Sequence, residues 1–267
     1  MSRVLVLGDV VPALPFVFTH VPKTGGSTIT RQMKRVFGSD AIAGISSAEP
    51  DQRREFLSRC RDENKRYVYG HFRFGDTQGI YDRLNCMIAL RHPLERILSL
   101  YFMLLRNKSD FASECAQDVR GQGFHRFHDR MVTGRAQDNL ICRYLCGEAD
   151  HRRAIEILQE HYCLAWDTEG SDMAWRELRR TLTGIDVVSS LHRRNAAPVA
   201  SNPDDVTSGA RPSEYSTFLP PESVTLVEEA NSADVLLFDW FCRTSDQQQE
   251  AALPFLSDGE TTRQAAR

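Results

Sequence analysis

Two periods alternate along the first hundred residues. Phe16-Val17-Phe18 is a short apolar run of the strand kind. Beyond two glycines, Ile29, Met33, Val36 and Phe37 recur at i, i+4, i+7 and i+8, which makes one apolar helical face that stops at Gly38. Tyr67-Val68-Tyr69-Gly70-His71 is rich in β-formers, and Asn85-Cys86-Met87-Ile88-Ala89-Leu90 is a near-continuous apolar run, as expected for a parallel sheet buried on both faces. Leu94, Ile97, Leu98, Tyr101, Leu104 and Leu105 then return to the helical period, with Pro93 near the helix start. The opening stretch through Val11 reads as a leading strand or an ordered arm. The polar residues 40 to 66, with Phe56 and Leu57 as the main buried candidates, read as a short surface helix.

Further along, residues 109 to 135 have little periodicity but several aromatic and basic side chains, and they read as a loop-rich lid. Helical patterns resume over Asp138 to Leu145 and Arg152 to Glu160, and Tyr162 to Trp166 suits a strand. Ser171 or Asp172 can cap a helix through Thr183. Residues 196 to 212, rich in Pro, Asn, Asp, Ser and Gly, read as a long loop. Pro220-Pro221-Glu222 opens another helix, and Val235, Leu236, Phe238, Trp240 and Phe241 give the last helix its apolar surface. This order predicts an α/β fold of P-loop-like type, with a central parallel sheet flanked by helices. One domain is expected over residues 1–245, followed by a polar C-terminal tail over 246–267.

Composition narrows the classes. The 267 residues hold no run long enough to cross a bilayer, and Asp9 interrupts the apolar start with no cleavage site after it, so no secretory signal is expected. A net charge of −3 argues against a general nucleic-acid binder. Of the 33 basic residues 29 are arginine, a bias that suits oxyanion handling but equally follows from coding bias. The cysteines, Cys60, Cys86, Cys115, Cys142, Cys146, Cys163 and Cys242, are scattered without paired metal-ligand spacing, so no metal site is expected and a reducing cytoplasm is the simplest setting.

Two strand-to-helix corners carry the chemistry. In His20-Val21-Pro22-Lys23-Thr24-Gly25-Gly26-Ser27-Thr28 the glycines let the backbone approach an anion, and the helix that follows offers N–H groups and a positive dipole end. Lys23 precedes the glycines, so the G-x-x-x-x-G-K-[ST] pattern is absent. The second corner, Arg91-His92-Pro93, also ends a strand in a cation.

These pieces resemble the PAPS-dependent sulfotransferase superfamily, most closely the branch of heparan sulfate 2-O- and 6-O-sulfotransferases and their bacterial relatives. The first loop looks like that branch's HIPKTGGTT-type 5′-phosphosulfate loop. Leu90-Arg91-His92-Pro93-Leu94-Glu95-Arg96-Ile97-Leu98-Ser99-Leu100-Tyr101 looks like its LRDPVERxxSxYY-type 3′-phosphate motif, and Tyr69-Gly70-His71-Phe72 occupies the place of its GH motif. Downstream, Gln137 to Gly147 resembles a DN-x-x-x-R-x-L-x-G segment and Glu229 to Leu237 a late N-x-x-D-x-x-L stretch.

The resemblance implies PAPS as donor, PAP as product and a hydroxyl acceptor on a carbohydrate or small metabolite. Lys23 would then be the cation for the leaving phosphate, with Thr24, Gly25, Gly26, Ser27 and Thr28 holding that phosphate. His71 would be the general base, and Arg91 and Ser99 would grip the 3′-phosphate. For each there is a plain alternative: a histidine bonded in the sheet edge, an arginine at a strand end, an exposed helical serine. Arg96 is open between site and surface pairing, and Arg143 between nucleotide and helix brace. Arg73, Arg126, Arg130, His125 and His128 are open between acceptor contacts and solvated surface, while Trp166, Trp175 and Trp240 read as core or edge aromatics. His92 stands where the branch has Asp, and Tyr69 where the 2-O enzymes place a second histidine. The competing classes are a nucleotide kinase, which would want its lysine after the glycines, and a catalytically silent nucleotide-binding protein.

Overall fold

The computed structural model describes residues 3–11, 13–46, 49–81, 84–106, 124–125, 127–129, 132, 137–181 and 219–264. Its strands are β1 (Val4–Val6), β2 (Phe16–Thr19), β3 (Ile42–Ile45), β4 (Tyr67–Gly70), β5 (Asn85–Leu90) and β6 (Tyr162–Asp167). They form one sheet in the order β1-β6-β5-β2-β4-β3, with β1 antiparallel to β6 and every other pairing parallel. The helices are α1 (Ser27–Phe37), α2 (Pro50–Asp62), α3 (Phe74–Thr77), α4 (Pro93–Arg106), α5 (Leu140–Cys146), α6 (His151–His161), α7 (Ser171–Thr181), α8 (Pro221–Ala230) and α9 (Ser232–Gln264).

Strand alternation sorts the core into two layers. Along β5, Cys86, Ile88 and Leu90 pack with α5, α6 and α9 through Leu145, Ile157 and Phe241. Met87 and Ala89 face the other way, toward Ile29 and Met33 of α1 and Trp175 and Leu178 of α7. A strand covered on both faces must be apolar at every position, which is why β5 carries no alternation. α2 covers Val17 and Val68 with Phe56 and Leu57.

Residues 40 to 66 depart from the expected lone helix, since they hold β3 as well as the thirteen-residue α2. β3 is a four-residue edge strand with no fully buried position, so it leaves little hydrophobic signature. A Cβ at its Gly44 would overlap the ring of Tyr69 on β4. α9 also runs unbroken past residue 246, so the expected domain end at 245 falls inside a helix. Ser245 Oγ donates to the Val4 carbonyl (3.0 Å), Arg3 pairs with Asp246 (2.9 Å), and the Gln248 amide both donates to and accepts from the Val6 backbone. Most of the expected lid at 109–135, and the whole loop at 196–212, lie outside the described residues.

The two downstream motifs form one clasp. Asn139 Oδ1 accepts from the N–H groups of Ala233 and Asp234 at the start of α9, and the Asp234 carboxylate accepts from those of Ile141 and Cys142 at the start of α5 (2.9 and 2.8 Å). Asn231 Oδ1 accepts from Asn139 N–H, and Asn139 Nδ2 donates to the Ala230 carbonyl. Each helix thus supplies the cap of the other, which settles donors that burial would otherwise leave unpaired.

Candidate active site

All five parallel strands end along one edge of the sheet. From β2 the chain runs out to β3 and β4 on one side before returning to β5 and β6 on the other, so the β2–α1 loop sits where the direction of winding reverses. In open α/β sheets ligands bind at such a point. Two residues of that loop have left-handed backbone, Lys23 (φ 72°) and Gly25 (φ 86°). A lysine there is strained, and a bond from outside the loop holds it: Arg91 Nη1 donates to the Lys23 carbonyl at 3.0 Å.

The loop's anion-facing parts are backbone. Thr24 is buried and its hydroxyl donates to the Val21 carbonyl at 2.8 Å, so it offers the cleft no side-chain oxygen. α1 has no side-chain cap at Gly26 and no acidic residue in its first turn. Its leading N–H groups and positive dipole end are therefore unopposed by carboxylate, as a bound phosphate requires. A Cβ at Gly26 would overlap the rings of Phe18 and His20, so only glycine fits this approach.

His71 arrives by strand register. β2 and β4 pair in parallel with Phe18 opposite Tyr69 and Thr19 opposite Gly70, and His20 N–H continues the ladder to the Gly70 carbonyl at 2.9 Å. One step further, the rings of His20 and His71 stack with centroids 5.0 Å apart. His71 Nδ1 lies 2.7 Å from the His20 carbonyl. A carbonyl only accepts, so Nδ1 carries a proton, and in the neutral ring Nε2 is the nitrogen with the lone pair. Burial first, then the His71 ring and the Lys23 charge, pull the His20 pKa down to about 4.

Arg91 is buried at the end of β5, its Nε 3.4 Å from Glu95. Ser99 lies two turns along α4, on the stripe that carries Glu95. Arg96 is fully buried and donates to the side chain and carbonyl of Gln137 at 3.0 and 2.6 Å. It therefore braces α4 against the segment leading into α5, which excludes surface pairing. Burial pulls its pKa down to about 10 against the attraction of Asp234. Arg143 pairs with Asp138 at 3.3 Å, as a helix brace. His92 packs edge-on against Phe238 of α9 at 5.6 Å.

A model of the sulfotransferase family matches residues 9–241. The chain belongs to the sulfotransferase family. It is an enzyme of a PAPS-dependent class, with a sulfuryl acceptor yet to be identified, and the kinase alternative falls away. No curated protein matches the chain significantly.

Three residues that touch the candidate site have no role assigned from the sequence: His20, Glu95 and Thr168. Thr168, just past β6, donates to the Thr24 carbonyl at 3.4 Å, and its methyl fills the space beside Gly25. His20 and Glu95 stood inside quoted motifs, but only register and helical phase reveal their partners. Among the candidate acceptor residues, Arg73 and His125 are exposed and His128 is buried, while Arg126 and Arg130 lie outside the described residues. Trp166 and Trp175 are core, and Trp240 is half-buried. A cavity of about 550 Å³ opens at the opposite end of the sheet, around Leu14, Asn85 and His161, away from all of these groups. No helix among the described residues is long and apolar enough to cross a membrane.

Proposed function

We propose that this enzyme transfers the sulfuryl group of PAPS to an acceptor hydroxyl, on a carbohydrate or a small metabolite, and releases PAP. One observation carries the reading: the ends of three adjacent strands bring together an uncapped glycine turn, the Lys23–Arg91 contact and a histidine whose Nδ1 is tied to a carbonyl, leaving Nε2 as the other nitrogen. Backbone N–H groups from Thr24 to Thr28, through Gly25, Gly26 and Ser27, hold the 5′-phosphate. Lys23 faces the charge that grows on it. Arg91 and Ser99 hold the 3′-phosphate, the arginine also fixing the loop through the Lys23 carbonyl.

Bound PAPS supplies the sulfuryl group: the acceptor oxygen bonds to its sulfur as the bond from sulfur to the 5′-phosphate oxygen breaks, the electron pair leaving with the phosphate. His71 Nε2 takes the acceptor's proton, and the His20 carbonyl keeps Nδ1 protonated throughout. Within the family we group the chain with the heparan sulfate 2-O- and 6-O-type branch on its HVPKTGGST loop and Gly70-His71. The scattered cysteines favour a reducing, cytoplasmic setting.

A screen of hydroxyl acceptors with labelled PAPS identifies the substrate, and calorimetry with PAP tests the donor. Tight PAP binding is expected. Binding of ATP with none of PAP would overturn the reading.

A further inference from the structure

His20 and His71 close a row of rings that begins in the core. Trp166 of β6 stacks on Phe18 of β2 (centroids 5.4 Å, 18° between planes), Phe18 on His20 (5.5 Å, 23°), and His20 on His71 (5.0 Å, 26°). Phe18 and His20 are two residues apart and so share a sheet face, the one that also carries Ala89 of β5 between them and Trp166. Alanine there lets the indole reach Phe18 across an intervening strand. On the free side Gly26 leaves the Phe18 and His20 rings the space that any Cβ would take. The His20 ring is thus held on one side by a fully buried phenylalanine and on the other by His71.

The geometry points to His20 as a positioning residue for the transfer: its ring is a flat, uncharged platform beneath His71, and its carbonyl fixes the His71 tautomer, so that Nε2 is presented in one orientation. This rests on His71 being the base. The platform needs no proton of its own, since burial beside Lys23 and His71 keeps the imidazole neutral. Flatness is therefore the property that matters, and the carbonyl acts whatever the side chain. Errors of about 1 Å in such a contact can cost a hundredfold in rate, which gives a buried platform kinetic weight without any contact to substrate.

The test uses the whole protein saturated with PAP for spectroscopy, and PAPS with water as acceptor for turnover. In the wild type, ¹⁵N shifts of the His71 ring are expected to show a protonated Nδ1 and a bare Nε2. His20→Leu keeps the bulk and the carbonyl without a flat face: the His71 tautomer should be kept while release of labelled sulfate slows by about tenfold or more, with PAP affinity within about twofold. His20→Phe, which restores a flat face, should recover most of the rate. A protonated Nε2 in the wild type would overturn the inference, and that reading needs no variant to fold. So would unchanged turnover in His20→Leu, or a His20→Phe protein as slow as His20→Leu. Failure of the underlying reading shows separately, as unchanged turnover in His71→Ala.

Discussion

In the unfolded chain His20 titrates near its ordinary value of 6.5, but in the folded protein only near 4. Between those values the unfolded chain binds a proton that the native protein does not, so stability rises with pH across the window and is lost as pH falls from 6.5 toward 4. A shift of this size corresponds to roughly 3 kcal/mol at the low end. Urea melts of wild type and His20→Phe over that range should diverge by about this much, the variant lacking this component. His71→Ala should lower transfer by about a hundredfold or more and leave PAP affinity within about twofold, read by labelled-sulfate transfer and calorimetry. Arg91→Lys keeps the charge but loses the planar fork. Because that fork restrains a lysine with φ 72°, PAP affinity should fall about tenfold, again by calorimetry.

Among the elements, the clasp between the starts of α5 and α9 bears most on stability. Asp234 accepts two backbone N–H groups and faces the buried Arg96, and its own burial raises its pKa. Asp234→Ala would leave two buried donors without their acceptor and remove the nearby charge that attracts the buried Arg96, at a cost of about 3 kcal/mol or more, measurable as a lower urea midpoint. In the sequence this pair stood as two faint motifs about ninety residues apart. What was legible there was local: the period of α1 and α4, the unbroken apolar run of β5, the lysine-first turn. Long-range pairing was not legible. Nothing near Gly70 or Thr19 says that they lie side by side, so His20 and His71 could not be brought together from spacing. β3 was lost for a related reason, because a short half-exposed edge strand has neither alternation nor a continuous apolar run. Arg96 stays open between site and surface in the sequence because a charged residue inside a helix normally reads as surface, and only tertiary partners such as Gln137 make its burial tolerable.

For the molecule as a whole, the edge at β1 is closed by side chains from the far end of the chain. Gln248 satisfies both the N–H and the carbonyl of Val6, much as another strand would, and so blunts an edge otherwise open to pairing. Gln248→Ala should cost about 1–2 kcal/mol in thermal or urea melts and leave PAP binding unaltered, since the clasp is remote from the loop. The family match spans 9–241, and a fragment cut to it would discard Arg3, Val4 and Val6 together with Ser245, Asp246 and Gln248, removing both halves of this closure. Arg3 and Asp246 stand 243 positions apart in the chain. During synthesis β1 therefore cannot find this cover until α9, more than two hundred residues later, has left the ribosome, and until then its edge is exposed to neighbouring nascent chains.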